Sequence, residues 1–518
     1  MNSQNVIGIT TDPNGSGSEL VDIRGTPSRV TAKGNNGRIE FDFPGTESAR
    51  LQGNQPVTLV CNPGQETAYD SIFRQGENRW QFNSFAHDRQ YMITIERGQC
   101  ELQQDWDGVR TVEAAINITP QSNSEFECYI QEFRGEWIPH NNNSEYAESP
   151  SFDSWCRNYG LNDLKEADRL ALYVTWSAVV NPDGNLMRPA MLMSKNWMNS
   201  FWSWDNCFNA LAISGIHPQL AWDQLMLPFE YQTPHGSVPD TINDSEITWN
   251  FVKPPVEGWT LSWIMERMDW IGCEELGEIY EPLQRWTNWW FNYRDDDDDG
   301  IPQYNHGNEC ADNASCFGHG LPIEAPGLPA LLVIQMEVLA DIAGKLGRND
   351  SATRWIDRAD DLLDRLLDHS WTGDRFIAPQ SGTHEIKEGT QSLVNVRPLI
   401  LGDRLPNDIW DCLVNRLRDK HLTQYGLASE SPESQYYKSD GYWLGPIWAP
   451  VTMLITDGLL RGGETELATE IAHRFCRTAA EHGMAENFDA LSGNGLRDPA
   501  HTWTASVYLV LRQEFNHD

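Results

Sequence analysis

The chain has 518 residues, enough for two domains, and its 40 % apolar and 11 % aromatic content can bury a large core. With 75 acidic against 38 basic residues the net charge is −37, which argues against nucleic acid and anionic membrane surfaces as partners. Most of the basic residues are Arg, and an acidic, Lys-poor surface suits a protein that stays hydrated in high salt. The N-terminal MNSQNVIGIT lacks a basic segment followed by an apolar one, so no signal peptide is expected, and no apolar run approaches the ~20 residues of a membrane span. The 10 Cys are scattered without a CxxC pair, the pattern of reduced thiols, and the expected location is cytoplasmic.

From Val6 to about Pro139 short runs alternate between apolar and polar residues, as in VTLVC at Val57, YMITIERGQCEL at Tyr91 and ECYIQEFRGEW at Glu127. Period two with Gly, Pro and Asn between the runs predicts an antiparallel β-sandwich over 1–145. The Asn-rich His140–Ser144 and the ESPS after it read as a linker. From 151 to 518 the period becomes helical. The clearest segments are Leu161–Val180, Glu274–Tyr293, Leu328–Leu346, Ser351–Ser370 and Glu464–Gly483, with further helix starts near Trp202, His217, Val256, Asn407, Gly445 and His501. About a dozen helices without a constant repeat, joined by long aromatic and acidic loops, predict a closed ring of paired helices, an (α/α)6 barrel. The fold class expected is therefore mainly α, with a β-sandwich in front.

Four loop segments could carry chemistry. YNHGNECADNAS, Tyr304–Ser315, sets Glu309 and Asp312 among amides and His306, between turn-forming residues. SFWSWDNCFNAL places Asp205 after Trp202 and Trp204 at a helix start, where an Asp is either a cap or part of a pocket. The third runs from GSVPD to WNFVKPPVEGW and holds Lys253, a surface cation or a group for a hydroxyl or carboxylate. The last spans DGYWLGPIW, with Trp443, and AENFDALSGNGLRD, where Glu486 follows the long helix in a polar loop. Two carboxyl groups in different environments are what glycoside hydrolysis requires. Asp295, Asp297, Asp299 and Gly300 match the first half of an EF-hand loop, but His306 stands where the bidentate Glu belongs. That leaves an acidic turn, or a bound calcium of another kind.

SFWSWDNCFNALAISGIHPQLAWDQLMLPFEYQ, GSVPDTINDSEITWNFVKPPVEGW, YNHGNECADNAS, DGYWLGPIWAP and ENFDALSGNGLRDPAHTWTAS occur in that order. Together they resemble the glycoside hydrolase family 63 group, which includes bacterial and archaeal glucosidases and the mannosylglycerate and glucosylglycerate hydrolases. Family 37 trehalases are more distantly similar. The resemblance implies an (α/α)6 barrel and hydrolysis of α-glycosidic bonds with inversion. It assigns the general acid to Asp312 and the general base to Glu486, and lines the sugar pocket with Asp205, Trp202, Trp204, Lys253, Glu309, Asn313, Trp443 and Trp503. It calls for no metal or organic cofactor. One departure stands out: the family pattern has three residues between its first acidic residue and the catalytic Asp, whereas only Cys310 and Ala311 separate Glu309 from Asp312.

The activity expected is that of an inverting, exo-acting α-glycosidase, an α-glucosidase first, acting on a small α-glucoside or oligosaccharide. The alternatives are a mannosylglycerate or glucosylglycerate hydrolase, and a weakly active or non-catalytic carbohydrate-binding protein on the same barrel. The partner in every case is a small carbohydrate.

Overall fold

In this computed structural model the described residues are 6–11, 20–34, 37–45, 47–62, 69–121, 124–139, 151–160 and 163–515. The linker expected at His140–Ser144 lies outside them. The chain divides into two units, Met1–Phe152 and Asp153–Asp518.

The first unit holds two antiparallel sheets. One has four strands in the order Ile7–Thr10, Val57–Cys61, Thr111–Thr119, Gln99–Trp106. The other has eight, running Leu20–Thr26, Arg29–Gly34, Gly37–Gly45, Ser48–Gly53, Phe126–Phe133, Arg89–Arg97, Arg79–Ser84, Ser71–Gly76. Leu59, Phe82, Ile93, Ile116, Ile118 and Phe126 form the buried cluster between them. The run YMITIERGQCEL, continuous in sequence, is two strands belonging to different sheets. The corner is Gly98 at φ 119°, where a Cβ would lie 3.1 Å from both Phe126 Cβ and the Thr119 carbonyl. A residue without a side chain lets the chain cross there.

The second unit is built from helices that, from Glu166 onward, alternate between an inner and an outer ring once the 3-10 segment Leu393–Arg404 is counted. In chain order they are α1 (Phe152–Tyr159), α2 (Glu166–Ser177), α3 (Asp205–Ile213), α4 (Pro218–Glu230), α5 (Glu257–Arg267), α6 (Cys273–Tyr293), α7 (Gly327–Lys345), α8 (Asn349–Ser370), α9 (Asn407–Arg416), α10 (Ala449–Arg461), α11 (Thr465–His482) and α12 (Thr502–Glu514). The inner ring closes on itself: α3 packs on α5, α5 on α7, α7 on the 3-10 segment Leu393–Arg404, that segment on α10, α10 on α12, and α12 on α3. Outside lie α4, α6, α8, α9, α11 and α2, each packed against an inner neighbour or next to it in the chain. This is the expected (α/α)6 barrel.

Burial separates the two rings. Every residue of α3 is buried, while α8 buries Trp355, Ala359, Leu362, Leu363, Leu366 and Ser370, a stripe at helical spacing. The inner α7 is long and apolar enough to cross a membrane by composition, and it is mostly buried inside the barrel. One inner member was not foreseen as a helix. Leu393–Arg404 contains Pro398, which lacks an N–H, and Gly402 at φ 58° breaks the run. The start expected near Gly445 falls at Ala449, because Trp448, just ahead of it, is extended and Pro450 sits in the first turn. All 10 cysteines are unpaired thiols.

Candidate active site

Because inner and outer helices alternate, every connection from an outer to an inner helix emerges at the same end of the barrel. Five of these connections carry the residues singled out in the sequence. Trp202, Trp204 and Asp205 lead into α3, Asp240 and Lys253 into α5, and Asn308, Glu309, Asp312 and Asn313 into α7. Tyr442 and Trp443 precede α10, while Glu486 and Arg497 precede α12.

The loop before α7 is a tight turn. Gly307–Glu309 forms a 3-10 turn, and the N–H groups of Cys310 and Ala311 both donate to the Gly307 carbonyl at 2.9 Å. A Cβ on Gly307 would fall 1.6 Å from the Asp312 carbonyl oxygen. Asp312 itself has φ 30°, a left-handed backbone that non-glycine residues adopt at a cost of about 1–3 kcal/mol. The loop that is one residue short is thus closed by a glycine packed on the carbonyl of the Asp it presents.

Asp312 is held from two sides. Trp443 Nε1 donates to Oδ2 at 3.0 Å, and Asn308 Nδ2 donates to Oδ1 at 2.9 Å. Asn308 is fixed in turn by Lys253, whose Nζ donates to the Asn308 carbonyl at 2.8 Å and to its Oδ1. Lys253 is buried and pairs with the buried Asp240 at 3.2 Å. Phe251 stacks on His306 with ring centroids 4.6 Å apart, bracing the same turn. Asn313 staples the loop before α7 to the one before α10, accepting from Trp443 N and donating to the Gly441 carbonyl, each at 3.0 Å.

Aromatic rings pack against one another beside these loops. Trp443 and Trp448 stack in parallel at 4.2 Å, and Trp503 meets Trp448 edge-on at 5.5 Å and Trp204 at 6.4 Å. The Trp503 Nε1 donates to the Glu486 carbonyl at 2.9 Å, which positions the Glu486 backbone. Glu486 is 2 % exposed and its Oε2 has no hydrogen-bond partner. Burial is the largest effect on its carboxyl and pushes it up to about 7, with repulsion from Asp498 and Asp312 adding to the rise. The carboxyl of Asp205, the first residue of α3, is pushed up to about 8 by burial, with Lys253 opposing and Asp240 and Glu486 reinforcing the shift. Tyr442, at φ 65°, is raised by burial first and then by Asp312, Glu486 and Asp205. All three carboxylates therefore act on one hydroxyl. Arg497, also at φ 65°, lies over the Tyr442 ring at 5.2 Å and pairs with Asp440. Strained residues on three separate loops meet at this place, which makes it the candidate functional site.

Not every residue assigned to the pocket has its polar atoms directed there. Both Glu309 oxygens are engaged within the framework, Oε1 by Arg294 at 2.7 Å and Oε2 by Arg294 at 3.1 Å and the Asn305 N–H at 2.7 Å. Lys253 likewise spends its donors on Asn308 and Asp240. Trp202 is half-buried in a two-residue strand paired with Thr241–Ile242, next to Asp240. The reading by residue type missed Asp240, Tyr442 and Arg497. Each lies inside a quoted motif, GSVPD, DGYW and GLRD, yet nothing local distinguishes it from a turn residue.

Residues 198–504 match the mannosylglycerate hydrolase MGH1-like glycoside hydrolase domain. Among curated relatives, the glucosylglycerate hydrolase of Mycolicibacterium hassiacum is 29 % identical over 126 residues, 23 % of this chain and 28 % of that protein, so the chain matches about a quarter of the relative's length. The fold of the GH63 mannosylglycerate hydrolase from Thermus thermophilus in complex with glucose is similar at a TM-score of 0.58, with 18 % identity, over 67 % of this chain and 99 % of that one. A bacterial glucoamylase complexed with acarbose shares the fold at a TM-score of 0.62, with 11 % identity, over 99 % of this chain and 88 % of that one. With the matched domain filling more than half of its length, the chain belongs to the mannosylglycerate hydrolase MGH1-like glycoside hydrolase family, within the family 63 group.

Proposed function

We propose that the protein is an inverting glycosidase that removes one sugar from a small α-linked glycoside, a glycoside of glycerate in preference to a plain α-glucoside. The observation that carries the reading is the buried Glu486 carboxyl group, whose Oε2 has no partner, together with Asp312, which Trp443 and Asn308 hold on another loop at the same end of the barrel. In the reaction, Glu486 takes a proton from the water that attacks the anomeric carbon. The bond from that carbon to the leaving oxygen breaks, and Asp312 delivers a proton to that oxygen. An inverting pair needs ~6.5–9.5 Å between its carboxyl groups to admit the water. Asp205 and the Trp204, Trp443 and Trp503 rings serve as the sugar subsite.

Glycerate is favoured over a neutral leaving group because the matched family and the curated relative are named for glycerate glycosides. Arg497, already paired with Asp440, is the cation by Tyr442 that such a carboxylate would meet. A second reading, with Asp205 as the proton donor, draws on its carboxyl standing at about 8.

The test is a panel of mannosylglycerate, glucosylglycerate and α-linked disaccharides, with NMR of the first anomer released. Fastest release from a glycerate glycoside, with the β anomer appearing first, is the expected outcome. An α anomer first would exclude inversion, and binding without release would leave a carbohydrate-binding protein. Retained activity in Asp312→Asn together with loss in Asp205→Asn would move the acid to Asp205.

A further inference from the structure

Outside the catalytic pocket, two histidines and two carboxylates converge at the foundation of the loop that presents Asp312. One potential ligand atom from each of Asp299, Glu324, His369 and His384 lies within 4.8 Å of the other three. They come from the acidic turn after α6, the residue following the isolated bridges of Ile323, the end of α8, and the loop after α8. Glu324 is fully buried, and while its Oε2 meets His369 Nε2 at 2.7 Å, its Oε1 has no partner at all. An unpartnered buried carboxylate oxygen is costly and calls for a cation. His369 Nδ1 lies 3.5 Å and His384 Nε2 3.7 Å from Asp299 Oδ2, and the two imidazole rings stand at 87° with centroids 5.0 Å apart. Ligands held tetrahedrally at roughly 2.1 Å from zinc are spaced roughly 3.4 Å apart, close to the two Asp299 distances, while Glu324 Oε2 holds the other nitrogen of the His369 ring, Nε2, and Oε1 is left to face an ion.

We propose that Asp299, Glu324, His369 and His384 bind a single divalent transition-metal ion of the zinc class. Imidazole nitrogens select such an ion over calcium, which prefers an all-oxygen set. The overlapping trio Asp295, Asp297 and Asp299 supplies the all-oxygen rival, and Asp297 also competes for His384 Nε2 at 3.2 Å. The ion's work is structural. Ile323, the neighbour of Glu324, forms isolated bridges with both Tyr304 and Gln380, and Glu324 N donates to the Pro379 carbonyl at 2.9 Å. An ion here ties the first residue of the catalytic loop to the end of an outer helix and to the loop that follows it.

The full chain is stripped with a chelator and titrated with ZnCl2 by calorimetry. The ion content is measured after dialysis, and CoCl2 is added to a second sample for its visible spectrum. One zinc per chain, a higher melting temperature with zinc than without, and intense visible cobalt bands typical of a tetrahedral site are expected. His369→Ala and His384→Ala should each weaken zinc binding by about tenfold or more. His384 is 48 % exposed, so its replacement leaves a folded protein even if that of His369 does not. Zinc affinity unchanged in His384→Ala, retention of calcium but not zinc, or no retained ion would each overturn the assignment.

Discussion

Glu486 shows how burial shifts a carboxyl group. Its carboxyl stands at about 7 instead of the ordinary 4.5, mainly because it is cut off from water. Between these two values the folded protein holds a proton that the unfolded chain has lost. Its contribution to stability is therefore greatest at acid pH and disappears as the pH rises through about 7, beyond which the buried charge opposes folding. Glu486→Gln should accordingly melt higher than the parent at pH 8, with the difference shrinking towards pH 5. With Glu486 as the proposed base, ionisation at about 7 predicts an acid limb in kcat/KM near that pH. The same variant and Asp312→Asn should each lose about 10²–10⁴-fold in rate while their circular dichroism is unchanged. An acid limb near pH 4 would show that Glu486 is not the group being titrated.

At the scale of elements, the turn before α7 turns a shortened loop into a presented carboxylate. Gly307 has no room for a methyl group, since the carbonyl of Asp312 occupies that place. Gly307→Ala must therefore push the backbone of Asp312 away, breaking the pair of hydrogen bonds from Trp443 and Asn308. A misplacement of ~1 Å at a reacting group costs on the order of 10²-fold in rate, so kcat should fall by about that factor. The melting temperature should fall as well, because the displaced atom is backbone in a buried turn. If kcat were unaffected, the short loop would not be what positions Asp312. Lys253 belongs to the same scale: it carries a charge into the barrel mouth to hold Asn308 and balance Asp240, a task its place before two prolines did not suggest.

For the whole molecule the dominant fact is the net charge of −37. Self-repulsion among carboxylates opposes the compact state, and salt shortens its range from ~10 Å at 0.1 M to ~3 Å at 1 M. The melting temperature is expected to rise between 0.1 M and 2 M KCl, measured by calorimetry at constant pH. A fall over that range would sink the idea that the acidic surface suits a salty solvent. Arg-rich ion-pair clusters on the sheets, such as Arg29 and Arg50 around Asp42, hold part of the charge locally.

Periodicity and punctuation, which act over a few residues, were legible in the chain by itself. They placed strands at Val57 and Glu127, and helices such as α6 and α8 to within two residues. The ordered motifs pointed to Asp205, Asp312 and Glu486, which the barrel gathers at one end. Three things depended on contacts between residues far apart in sequence and so had no local signature. The 3-10 segment Leu393–Arg404 completes the inner ring because its neighbours leave it that place, despite Pro398. Glu309 and Lys253 hold the framework because Arg294, Asn308 and Asp240 reach them first. His369 and His384 meet Asp299 and Glu324 only once α7 and α8 pack as a pair, and burial, not residue type, leaves Glu324 with an oxygen in want of a partner.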